Sequence, residues 1–158
     1  MYYLLNKKFV LTIGLLVGFT SCTTKSIDLL SKDSLYNQGL EYTKIKTIVK
    51  DNDVKGILNI THLNPTYPKK FDNTYNQFLV GIYLDEYSEE YMMYLNKKRF
   101  ISKELLSVNT KLFKNIPAYN PHSTYYIIKF KKEKSDKLKL NFTHAQYGSA
   151  DLEFNSFY

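Results

Sequence analysis

Tryptophan is absent from this chain, and cysteine occurs once, at position 22. A single cysteine excludes an intramolecular disulfide and any CxxC pair for zinc or redox chemistry. Histidine is scarce too. His62, His122 and His144 fall in separate segments, without the H-x-x-x-H spacing or nearby second ligand of a zinc site. No G-x-S-x-G, H-E-x-x-H, S-x-x-K or glycine-rich phosphate loop occurs. The expectation is therefore no catalytic residue, no metal ligand and no cofactor, in a protein that is not an enzyme. There is no internal repeat, no low-complexity tract and no nucleic-acid-binding motif, so nucleic acid is not an expected partner. No apolar run reaches the roughly 20 residues that a membrane-spanning helix needs.

What is present begins at the N-terminus. Lys7 and Lys8 precede an apolar stretch, FVLTIGLLVGF, from Phe9 to Phe19. Polar sequence follows at once, which gives the stretch the length and flanks of a secretory signal. Phe19, Thr20, Ser21 and Cys22 resemble the lipobox of a bacterial lipoprotein signal: an apolar residue, two small residues and the cysteine. Phe19 stands where leucine is usual. The resemblance implies cleavage before Cys22 and acylation, including palmitate, on its thiol and new amine. Each buried methylene contributes about 0.8 kcal/mol, and two or more chains anchor a protein stably. Thr23, where an aspartate would signal inner-membrane retention, implies the outer membrane, with the domain on either its periplasmic or its surface face.

Residues 1–21 are thus expected to be a signal peptide, 22–40 a lipidated N-terminus and tether, and 41–158 one domain. Removing the signal leaves 137 residues, enough for a core without disulfide staples. It also removes two positive charges, so the net charge falls from +7 to +5 (+7 − 2). An excess of that size suits an anionic membrane or glycolipid surface, but solubility explains it better. The tether is polar and would hold the domain on the order of 25 Å from the membrane. Ser26 and Gly39 are positioned to start and end a short helix within it.

From residue 41 the apolar pattern has period two. EYTKIKTIVK and VKGILNITHL flank Asp51-Asn52-Asp53, which predicts a hairpin. In the first strand Ile45, Thr47 and Val49 share one face. In the second, Val54, Gly56, Leu58 and Ile60 do. The segment 64–73 holds two prolines and reads as a loop. YNQFLVGIYLD is apolar on both faces, which predicts a central, covered strand with Phe78, Val80 and Ile82 between the layers. YMMYLNKKRFIS reads as two short strands around Asn96–Lys98, with a helix over 88–95 as the competing assignment. KELL, within 103–116, is the best candidate for a helical turn, before a loop with Pro117 and Pro121. STYYIIKFK and KLKLNF predict a second hairpin with a charged tip, KEKSD. ADLEF after Gly148 is a last strand.

Short strands, frequent turns and no sustained helical period predict an all-β fold, an antiparallel β-sandwich of about seven or eight strands with one or two helical turns at most. YLNKKRFISKELL, NIPAYNPHSTYYIIKF and YGSADLEF also resemble a group of small, lipid-anchored bacterial envelope proteins. That resemblance implies a variant immunoglobulin-like sandwich over most of 41–158, and no catalytic activity.

Other residues each have a plainer explanation. DNDVKG (51–56) starts like a calcium loop, but Lys55 and His62 occupy ligand positions, so it reads as a turn. Asp85, Glu86, Glu89 and Glu90 read as a solvated face rather than a glycosidase pair. Asn59 and Asn141 head glycosylation sequons, yet both fall in predicted strands. His62 reads as a structural, hydrogen-bonded histidine. Tyr67, Tyr75, Tyr83, Tyr87, Tyr91, Tyr94, Tyr119, Tyr125 and Tyr126 suit a half-buried layer or a binding surface. The leading expectation is an envelope lipoprotein that binds a protein or glycan of the envelope or a host. The alternative is a carrier of a small apolar ligand or lipid inside the sandwich, and a weaker one is an unrecognised hydrolase. A homodimer through a sheet edge is a further expected mode.

Overall fold

The computed structural model describes residues 36–71, 73–85, 90–107, 110 and 116–156. The signal, Cys22 and most of the expected tether lie outside the described residues. Among the described residues, nine strands form two antiparallel sheets: β1 (Thr43–Lys50), β2 (Asp53–His62), β3 (Tyr75–Leu84), β4 (Tyr91–Leu95), β5 (Lys98–Arg99), β6 (Ser102–Leu105), β7 (Thr124–Lys131), β8 (Lys137–His144) and β9 (Gly148–Asn155). The first sheet runs β1-β2-β3-β7-β6, the second β5-β4-β8-β9. The two make an open, sandwich-like, all-β fold.

Alternation in the sequence explains the layering. Leu58, Ile60, Phe78, Val80, Ile82, Ile128 and Phe130 point inward from the first sheet. Met93, Leu95, Leu138, Leu140, Phe142, Leu152 and Phe154 meet them from the second. Phe78 stands 5.3 Å from Phe154 and 5.9 Å from Phe130, centroid to centroid, so aromatic rings join the layers where no tryptophan is available. The opposite face of β3 is covered as well: Leu79 and Tyr125 pack with Leu63 and Ile116. The central placement of β3, with 78, 80 and 82 between the sheets, is as its two-sided apolar pattern predicts. Gly81 is required there by close packing, because a Cβ would stand 2.5 Å from the Tyr125 ring.

Two tight turns follow the predicted chemistry. Asp51 and Asn52 join β1 to β2, and Asn96 and Lys97 join β4 to β5; all four have positive φ. That is the mirror-image geometry matching strand twist in a two-residue hairpin loop. Residues 91–95 are strand, not helix. In β1 the exposed side carries Ile45 and Val49, 57% and 51% exposed, while Ile48 enters the core beyond a bulge in the β1–β2 ladder.

Four expectations about the chain's elements differ from the structure. β7 and β8 are not a hairpin, since they belong to different sheets. Each has one apolar face, and residues 132–136 carry the chain from one layer to the other, where Lys98 holds Glu133 at 2.8 Å. KELL contributes to strand β6, paired with β7, because backbone pairing outweighs its helix propensity. The expected loop at 64–73 begins as a buried helical turn, α1 (Leu63–Thr66). Asn64 pins it to β3, donating to the Tyr75 carbonyl at 2.9 Å and accepting from the Gln77 amide at 2.8 Å. Lastly, residues 36–41, mostly assigned to the tether, are helical. Gln38 donates to the Pro65 carbonyl at 2.8 Å, and Gly39 is buried, so the folded unit reaches at least to residue 36.

Candidate functional site

The outer faces of the two sheets differ. Loops cover the first: α1, Tyr67, Phe71, Leu106 and Ile116 lie over Leu79, Tyr125 and Ile127. Asn59, on that face, donates its amide to the Ala118 carbonyl. The second sheet presents a groove of about 850 Å³, lined by Tyr94, Asn96, Lys97, Lys139, Asn141, Asp151, Leu152 and Glu153.

Register builds this groove. Tyr94 pairs with Asn141 across β4 and β8, and Asn141 with Asp151 across β8 and β9, so the three side chains form one row. Lys139 pairs with Glu153 in the next row. Asn141 donates to Asp151 Oδ1 at 2.7 Å and accepts from the Thr143 hydroxyl at 3.0 Å, which fixes the amide. Tyr94 donates to Met92 Sδ at 3.0 Å. At the end of the groove, the Asn96 side-chain oxygen accepts from the Lys139 backbone N–H at 2.8 Å, while the Asn96 backbone N–H donates to the Lys139 carbonyl at 2.8 Å. Glu153 is paired with Lys137 at 3.0 Å, and that hydrogen bond and charge hold its carboxyl below the usual range. The groove thus offers one aromatic ring, a fixed amide–carboxylate pair and both signs of charge.

The other candidates disperse. His62 is buried beneath the Phe78 ring, with centroids 4.6 Å apart. Neither of its nitrogens has a hydrogen bond of ordinary geometry, contrary to the expectation of a hydrogen-bonded histidine. Burial lowers its pKa from 6.5 to about 4, the Lys132 charge adds to this, and polar contact with Asn64 opposes it. His144 is also buried: its Nδ1 accepts from the Gln146 and Tyr147 amides at 3.0 and 3.2 Å, tying the β8–β9 turn. His122 is exposed on a loop. No cluster of three metal-binding side chains occurs among the described residues.

Asp51 sits in a hairpin turn and Lys55 bonds Asp53 at 3.5 Å, so DNDVKG is turn chemistry as expected. Asp85 and Glu90 are exposed, while Glu86, Glu89 and Tyr87 lie outside the described residues. The tyrosines divide by position. Tyr125 and Tyr126 are buried; Tyr67 and Tyr91 pack against the two cores; Tyr75, Tyr83 and Tyr119 are exposed. Of the described tyrosines, Tyr94 alone lines the groove. The sequence held a signal for this: outward polar residues alternate with inward apolar ones in β8 and β9. What it lacked was the strand order that sets them side by side. No family model matches this chain, and neither the curated proteins nor the solved structures include one similar to it.

Proposed function

We propose that this protein is a non-catalytic envelope lipoprotein, held on the outer membrane through Cys22, that binds a protein or glycan with the open face of β5-β4-β8-β9. The observation that carries the reading is the asymmetry of the sandwich. One outer face is covered by its own loops, and the other carries a groove with fixed polar groups. Concave sites with a few oriented polar groups are where proteins place ligands. The space between the sheets is filled by Phe78, Phe130 and Phe142, none more than 1% exposed, and by their buried neighbours, which favours a surface binder over an interior carrier.

The sandwich is read as a variant immunoglobulin-like fold. In support, β2-β3-β7-β6 and β5-β4-β8-β9 follow the order A-B-E-D and C′-C-F-G, with β1 added outside β2. A sheet-edge homodimer is less favoured. The β1 edge alternates lysines (Lys44, Lys46, Lys50), and such charges oppose strand addition.

The test is affinity capture from envelope extract by the full-length, detergent-solubilised chain. Material retained by the wild type should be lost with Tyr94→Ala and Asp151→Ala, and kept with Thr47→Ala on the other sheet. Retention insensitive to both groove variants would refute the reading.

A further inference from the structure

We infer that the groove takes a neutral saccharide chain; this rests on the binding face proposed above and names its ligand class. Charge comes first. The lining contains two cations, Lys97 and Lys139, and two carboxylates, Asp151 and Glu153, so its formal balance is zero. The whole chain carries +7. A groove for a polyanion would be lined by cations in excess, and this lining is not. A polycation is disfavoured by the same balance.

The polar groups suit hydroxyls. A sugar ring has an apolar C–H face and a rim of hydroxyls that both donate and accept. Tyr94 supplies a flat ring with its hydroxyl already tied to Met92. One strand away, the Asn141–Asp151 pair presents an amide and a carboxylate whose positions are set before binding. Pre-set groups lose less conformational freedom on binding. Tyr94 and Asp151 are two strands apart, about 10 Å, so the row spans more than a single hydroxyl contact. The exposed aliphatics Ile45, Val54 and Leu105 belong to the five-stranded sheet, while Met92, exposed beside Tyr94, adds an apolar edge on which the C–H face of a sugar can rest.

The probes are maltotriose, cellotriose and tri-N-acetylglucosamine, immobilised, with heparin as a polyanion control and the full-length chain in detergent. At least one neutral trisaccharide should retain the protein. Tyr94→Ala should weaken that retention about tenfold or more, as truncating a binding-centre aromatic commonly does. Asp151→Asn, which preserves shape, should weaken it too, and it carries the test if Tyr94→Ala misfolds by circular dichroism. Thr47→Ala should leave it unchanged. Three results overturn the inference: no retention by any neutral probe, retention by heparin alone, or neutral binding untouched by both groove variants. If envelope capture remains dependent on Tyr94 while every saccharide fails, the ligand class is wrong and the binding face stands. If both fail, the face itself is wrong.

Discussion

His62 is a titratable ring in an apolar core, stacked on Phe78 and held neutral by burial. Its folded pKa, about 4, lies below the 6.5 of an unfolded chain, so the unfolded state takes up the proton first. Stability is therefore full above pH 6.5 and falls as pH drops toward 4. The loss attributable to this residue is on the order of 2 to 4 kcal/mol once the interval is crossed. Urea midpoints measured from pH 7 to pH 4 should show the fall, and His62→Phe should flatten it. A pH profile identical in the two proteins would mean that His62 is not the group responsible. A second contrast concerns side chains that alternation assigns to opposite faces. Phe78 is fully buried and Lys139 is exposed. Phe78→Ala should cost about 3 to 5 kcal/mol, a large part of the roughly 5 to 15 kcal/mol that holds such a domain. Lys139→Ala should change stability by about 0.5 kcal/mol or less. Denaturant titration decides it; equal effects would contradict the register of β3 and β8.

Among elements, the turns and the links behave differently. Asn96-Lys97 forms a two-residue loop with φ of 48° and 68°. Asparagine tolerates that region, but lysine carries a Cβ penalty there, and glycine does not. Lys97→Gly should raise stability by about 0.5 to 1 kcal/mol, read as a higher thermal midpoint, whereas Lys97→Val should lower it. This turn was legible because its residues act locally. The link at 132–136 was not. KEKSD is turn-prone whether it closes a hairpin or carries the chain between layers. The strands around it show the same alternation in both cases, since Ile128 and Phe130 must face Leu138, Leu140 and Phe142 across a core. Likewise KELL has good helix formers, but the open edge of β7 recruits residues 102–105 into a ladder. Asn64 gives α1 its place by bonding β3 residues 11 and 13 positions away, a contact that no local pattern announces.

For the whole molecule, the proposed anchor makes a plain prediction. Cys22→Ala should abolish palmitate labelling and release the protein from washed membranes, because no other thiol exists to acylate. Labelling that survives the substitution would remove the lipoprotein assignment, though not the fold. Period-two alternation, turn residues and the lack of a helical period together determined that the domain is all-β, which strand is central and, outside β1, which faces are buried. They do so because burial on a pleated strand is a local, two-residue rule. Tertiary structure alone decided which strands are neighbours: β7 beside β3, β8 beside β4, and β1 outside β2. That choice depends on contacts between distant segments, and it sets Tyr94, Asn141 and Asp151 in one row. The open groove exists only once those strands pair, because a row across a sheet is a property of pairing and not of any single strand.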